Sequence, residues 1–379
     1  MSRPLRVLHV SSGNLYGGIE TLLHTVAREQ GRHPALAHAF ALCFEGRLSQ
    51  ELRDAGAALH VLGPARTGRP WSVWRARSVL RALLRAGRFD GVICHAIWPQ
   101  ALFGPVVRAV GVPLVFFQHD ALSGAHWLER WARVTPPDLV LANSRFTAGT
   151  LASVYPRAPC RVSHCPVPAP PPALAPAERA RLREELGAAE GDVVILQASR
   201  MQSWKGQRLL LEALGRLRRV PGWRAWVAGG AQRPEERAYL DGLRAQAKQL
   251  GVEDRVRFLG QRSDVPSLLR AADLHCQPNV KPEPFGLAFV EALQAGVPVV
   301  TTGMGGALEI VDASCGVVVP PEPGALARAL AALIENPRTR AALGAAGPAR
   351  ALAVGDAGAF LRGMEEALRA LSGPQEVSA

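Results

Sequence analysis

Two glutamates eight positions apart, Glu283 and Glu291, bracket most of the stretch KPEPFGLAFVEAL from Lys281 to Leu293. Carboxylates accept paired hydrogen bonds from vicinal hydroxyls, which points to a sugar and a ribose as ligands. Pro284 suits a first helical position, where its missing N–H is no loss. A helix read from there puts Glu283 just ahead of its positive end and Glu291 on the same face two turns on. Glycine inside a helix costs about 1 kcal/mol against alanine. Gly286 therefore suggests close approach of a ligand to the N–H groups of Phe285, Gly286 and Leu287. The plainer alternative is an amphipathic helix with one satisfied, buried glutamate. Against it, Glu291 is embedded among Phe289, Val290, Ala292 and Leu293, where an unpartnered carboxylate is costly.

Three further segments carry chemistry. In SRMQSWKG, Ser199 to Gly206, Arg200 and Lys205 can converge on one anion. A diphosphate suits them, arginine as a planar fork and lysine as a point charge. The chain has only three lysines, Lys205, Lys248 and Lys281. In SSGNLYGGIE, Ser11 to Glu20, Gly17 and Gly18 precede a helix and offer free N–H groups to an anion. In QHD, Gln118 to Asp120, an imidazole and a carboxylate follow a strand. They could position a sugar, act as base, or cap the next helix.

The elements that must position these segments are legible as alternation. RVLHV, AALHVLG, GVICH, VPLVFF and DLVLAN are apolar runs of the kind buried on both faces of a parallel sheet, with helix-period segments between them. PVPAPPPALAP, Pro166 to Pro176, breaks the pattern and reads as a stiff linker. The alternation restarts with DVVILQAS, WRAWVAG, RVRFLG, DLHCQP, VPVVTT and CGVVVP. The fold class is α/β, with two Rossmann-like doubly wound domains facing a cleft, and the four segments at the carboxyl ends of strands, where such sheets bind ligands. The domains are read as 1–168, 169–355 and a C-terminal helix, 356–379, packing back toward the first.

At 379 residues, with 48% hydrophobic and 20% charged residues, the chain is long enough for two globular cores. No apolar run reaches the roughly 18 residues of a membrane span, and the start lacks a signal-peptide order, so a cytoplasmic protein is expected. Six scattered cysteines read as free thiols. The net charge of +12 falls mostly on the first 170 residues, which carry +10. There, Arg66 to Arg88 holds seven arginines. On a helix, Val73, Ala76, Leu80, Leu83, Leu84 and Gly87 would form an apolar face, and Trp74, Arg77, Arg81, Arg85 and Arg88 a basic one. Such a helix could rest on anionic lipid at the inner face of the membrane, or be a solvated face of an arginine-biased chain.

With these segments in this order, the chain resembles the retaining glycosyltransferases of the GT-B fold, family four. The resemblance is carried by EPFGLAFVE, SRMQSWKG and GGALEIV, and more loosely by the GG loop, QHD and ANSRFTAGTL. It implies that Arg200 and Lys205 hold the donor diphosphate, Glu291 the ribose hydroxyls and Glu283 the hydroxyls of the transferred sugar. It places His119 against that sugar, Gly18 near the phosphates, and the loop Phe258 to Arg262, with Gly260 and Arg262, against the base.

The implied activity moves a hexosyl group from a nucleoside-diphosphate sugar, UDP ahead of GDP, to a hydroxyl acceptor: a sugar, a lipid-linked glycan or a small molecule. No DxD sequence occurs, so neither a metal nor any other cofactor is expected. A sugar-nucleotide epimerase or phosphorylase-like enzyme is the alternative on the same fold. A dinucleotide oxidoreductase would need GxGxxG after a strand, which is missing, and no nucleic-acid partner is expected without a base-reading module.

Overall fold

The computed structural model describes residues 3–14, 16–170, 172–231 and 233–372. The chain divides into two compact units, one running to Pro168 and resuming at Gly355, the other from Ala169 to Val354.

The first unit is built on seven strands: β1 Leu5–Ser11, β2 Leu36–Leu42, β3 Ala58–Val61, β4 Gly91–His95, β5 Leu114–Gln118, β6 Leu139–Ala142 and β7 Cys160–Val162. They lie in the order β3-β2-β1-β4-β5-β6-β7, with every pairing parallel. β4, β5 and β6 are buried at every residue, as the unbroken apolar runs require, whereas the edge strand β7 is exposed throughout. The helix Ala357–Ser372 belongs to this unit: Phe360 stacks on Phe117, with ring centroids 6.1 Å apart, and Glu365 pairs with His33 at 2.8 Å.

The second unit has six strands: β8 Val193–Ala198, β9 Trp223–Ala228, β10 Val256–Gly260, β11 Leu274–Gln277, β12 Val299–Thr302 and β13 Gly316–Val319. Their order is β10-β9-β8-β11-β12-β13, again all parallel. Trp223 and Trp226 of β9 are fully buried and anchor its core.

Both sheets are Rossmann-like and doubly wound. Chain order reverses between β1 and β4 in one and between β8 and β11 in the other. At such a reversal the flanking loops diverge to opposite faces, leaving a crevice at the carboxyl edge. From Cys165 to Ala175 the described residues form neither helix nor strand, and the helix Pro176–Glu185 follows.

Candidate active site

The carboxyl edge of the second sheet gathers the loops after β8, β9, β11 and β12. Gly206 ends the loop after β8 at φ +77°, and a Cβ there would lie 1.8 Å from the carbonyl oxygen of Pro278. Only glycine lets this loop press on the end of β11. Across the reversal, Lys205 Nζ lies 2.7 Å from Glu283 Oε2, and also over the Trp204 ring at 4.0 Å. The same carboxylate oxygen accepts from Asn279 Nδ2 at 2.7 Å and Gln277 Nε2 at 3.2 Å. Glu283 is thus buried with its charge met by one cation and two amides.

The helix after β11 does not begin at Pro284. It runs Leu287–Gln294, with Gly286 at its N-cap and φ +113°. The reason is the preceding EPF turn, which is tied to the next loop: Glu283 bridges Gly305 as in a parallel sheet, and Gly306 N donates to Glu283 O at 2.7 Å. With its φ fixed there, Gly286 turns the chain into the helix and its carbonyl accepts from Phe289 N at 2.9 Å, which leaves the N–H groups of Leu287 and Ala288 without intrahelical acceptors. Phe285 is buried beneath this turn.

Glu291 sits one turn inside that helix and is half-buried, while Phe289, Val290, Ala292 and Leu293 pack inward. Among the described residues no hydrogen bond or ion pair reaches its carboxyl group, and desolvation pushes its pKa up to about 7. A group in this state gains most from hydroxyl donors, which favour its ionised form.

The other cations are more committed than their spacing suggested. Arg200 Nη2 is 2.7 Å from Glu236 Oε1, on the helix Pro234–Gln249, leaving Nε buried without a partner among the described residues. Arg262 forks onto Asp264, Nε to Oδ1 at 2.8 Å and Nη2 to Oδ2 at 2.6 Å, which lowers the Asp264 pKa. Gly260 closes β10 at φ +66°, where the ladder shifts register.

In the first unit, Gly17 caps the helix Gly18–Glu29, and a Cβ on it would meet nothing nearer than Glu20 Oε2 at 3.7 Å. His119 follows β5. Asn143 Nδ2 donates to its carbonyl at 3.0 Å, and Gln118 Nε2 reaches Thr147 O at 2.7 Å and Thr150 Oγ1 at 3.0 Å. ANSRFTAGTL therefore braces QHD, a relation the sequence did not reveal. The capping alternative for QHD fails, because the next helix, Trp127–Ala132, is capped by His126 and Glu129. Burial pushes His119 down to about 3, so it is a neutral imidazole and a weak base at pH 7.

The basic segment forms the helix Pro70–Gly87, burying Val73, Ala76, Leu80 and Leu84. Arg77 is not on its outer face: Nε donates to Leu102 O at 2.6 Å, and the guanidinium lies over the Trp131 ring. Its aliphatic stem and planar head suit an inward position that a point charge would not. Trp71 and Trp74 are about seven-tenths exposed. Among the described residues no helix is long and apolar enough to cross a membrane, and no group of three His, Cys, Asp or Glu could hold a metal ion.

Two parallel doubly wound sheets with a cation–carboxylate pair at a chain reversal define a GT-B glycosyltransferase fold, and comparison with known proteins agrees. Residues 16–171 match the model of Glycosyltransferase Family 4, and residues 178–350 that of Glycosyl transferases group 1. The chain is 32% identical over 291 residues to a GDP-mannose-dependent alpha-(1-6)-phosphatidylinositol monomannoside mannosyltransferase of Mycolicibacterium smegmatis, covering 71% of this chain and 74% of that protein. It is 32% identical over 302 residues to a D-inositol 3-phosphate glycosyltransferase of Kribbella flavida, covering 72% and 69%. The crystal structure of Anabaena Alr3699/HepE in complex with UDP and glucose superposes with a TM-score of 0.83 at 26% identity, over 96% of this chain and 99% of that one. The protein belongs to glycosyltransferase family 4 and uses a nucleotide sugar. The epimerase or phosphorylase-like alternative is not favoured.

Proposed function

We propose that the protein is a retaining, metal-independent hexosyltransferase that takes its sugar from a UDP-sugar and passes it to a hydroxyl acceptor. The observation that carries this is the unpartnered carboxyl of Glu291, one turn inside the helix that follows Glu283 and its ion pair with Lys205. Glu291 takes the ribose hydroxyls, Lys205 and Arg200 the diphosphate, and Glu283 the transferred sugar. Gly260 and Arg262 line the base, Gly17 and Gly18 lie near the phosphates, and His119 meets a sugar oxygen. UDP is favoured by the 26% identical Anabaena structure, although one sequence relative is named for GDP-mannose.

The bond from the anomeric carbon to the phosphate oxygen breaks with its electron pair on the phosphate. Fixed cations and the N–H groups at Leu287 stabilise that growing charge more than the ground state. The acceptor oxygen attacks the same face and gives its proton to the departing phosphate. A double displacement would need a carboxylate nucleophile, for which Asp120 is the candidate.

Calorimetric titration with UDP, GDP and ADP on the wild type and Glu291→Ala tests the donor site. Binding of UDP that weakens in the variant supports it, and binding of none to a folded protein removes it. NMR of the product's anomeric configuration tests retention. A glycosyl group trapped on Asp120, with Asp120→Asn inactive, would replace front-face attack by double displacement.

A cell-envelope or other membrane-linked acceptor is favoured by one observation. Trp71 and Trp74 stand exposed on a helix bearing Arg75 and Arg85 at its surface, a pairing suited to an anionic bilayer. Flotation with vesicles containing phosphatidylglycerol should retain the protein, and neutral vesicles should not. Equal retention on both would remove the electrostatic reading.

A further inference from the structure

Four histidines of the first unit form a continuous line across its sheet. His38 Nδ1 is 2.9 Å from His9 Nε2, His9 Nδ1 is 2.9 Å from His95 Nε2, and His95 Nδ1 is 3.1 Å from His119 Nε2. Register builds the line. His38 pairs with Val7, and His9 lies two residues beyond Val7. His9 pairs with Ile93, and His95 lies two beyond; His95 pairs with Phe117, and His119 lies two beyond. An advance of two residues per strand keeps successive side chains on one face. All four are buried.

A neutral imidazole has one N–H and one lone pair, so the direction of one link sets the direction of all. With every proton on Nδ1, His119 presents Nδ1–H outward and His38 ends the line in a bare Nε2 lone pair. With every proton on Nε2, His119 presents a lone pair and His38 ends in a buried N–H. Among the described residues His38 Nε2 is buried with no hydrogen-bond partner. Orphaned buried N–H groups are rarer than under-used acceptors, which favours the first direction. Burial holds all four bases below their ordinary range, His38 to about 4 and His119 to about 3, so an excess proton does not disturb the order at pH 7.

We propose that His95, His9 and His38 are positioning residues that fix His119 as the Nδ1–H tautomer, making it a hydrogen-bond donor to a sugar oxygen and not a base. The tautomer follows from the line itself. The sugar contact rests on the function proposed above.

Long-range proton–nitrogen NMR of the full chain labelled with 15N-histidine reads the tautomer directly, with His119→Asn used to assign the signal. The expected result is a neutral His119 protonated on Nδ1, and protonation on Nε2 overturns the proposal. In His95→Asn, the side-chain amide continues to donate to His119 Nε2, so tautomer and transfer persist. In His95→Phe, the donor is gone, the Nε2–H form appears, and kcat falls roughly 10- to 100-fold with little change in donor KM. Equal loss in both variants with His119 unaltered would also overturn the proposal. If the tautomer is as stated but His119→Ala, which has no donor, transfers sugar normally, the sugar contact falls while the tautomer stands.

Discussion

Lys205 Nζ and Glu283 Oε2 lie 2.7 Å apart across the chain reversal of the second sheet, so the cation proposed for the diphosphate and the carboxylate proposed for the sugar neutralise one another. On the proposed roles a donor diphosphate competes with Glu283 for Lys205, while Asn279 and Gln277 hold the carboxylate in place.

Lys205→Ala should therefore leave a buried carboxylate without its cation and cost about 3 kcal/mol of stability in the second unit. Glu283→Gln, which removes the charge but keeps the shape, should cost less. Urea denaturation of the two variants checks the order, and a milder effect for Lys205→Ala would show that the pair is solvent-screened.

Glu291 should make donor affinity depend on pH. Its pKa of about 7 means that ribose hydroxyls must bind an ionised group that burial disfavours. Affinity for UDP should rise from pH 6 to pH 8 by about tenfold or less, and Glu291→Gln should abolish that rise. The stability sign is opposite: the raised pKa contributes stability below the unfolded value, lost as pH rises through 7, so Glu291→Gln should be more stable than wild type at pH 8. Calorimetry and thermal melts at both pH values measure the two effects.

The two units should respond differently to acid. His9, His38, His95 and His119 titrate near 6.5 when unfolded, yet burial keeps them neutral when folded to pH 4 or below. The unfolded chain then holds more protons, and the first unit loses stability as pH falls from about 6.5 toward 4. In the second unit His275, lowered to about 4, acts in the same direction, and Glu291 opposes it between about 7 and 4.5. Hydrogen exchange at pH 7 and pH 5 should find the first unit opening preferentially at the lower pH. Loss of protection first around β8 and β11 would contradict this.

Gly206→Ala and Gly222→Ala make a matched pair. Both glycines have positive φ, but a Cβ at 206 strikes Pro278 O at 1.8 Å while one at 222 meets nothing within 4 Å. The second change should cost about 1–2 kcal/mol, the price of the left-handed backbone alone. The first should cost more and also weaken UDP binding, since it moves the loop that carries Lys205. Melting and titration of the two variants separate these effects.

All six strands of the second sheet were legible in the sequence, four as short runs rich in Val, Leu or Ile, and β9 and β11, with one such residue each, by their place in the alternation. In the first sheet LAHAFAL gave no such run, since alanine fills alternate places, and the exposed three-residue β7 had too little apolar content to register. The chemical residues were visible by type and by place at strand ends. Their partners were not. Arg200 with Glu236 and Lys205 with Glu283 depend on which loops meet, and the histidine line depends on register between strands far apart in sequence. The helix start moved from Pro284 to Leu287 because Gly305 and Gly306 hold the intervening turn, an effect of a loop twenty residues on.

The helix Ala357–Ser372 stacks Phe360 on Phe117 of the first sheet. During synthesis, then, every residue of the second unit leaves the ribosome before the first unit has its last helix. The half that starts first is finished last, and until translation passes Ser372 the aromatic surface around Phe117 lacks its cover.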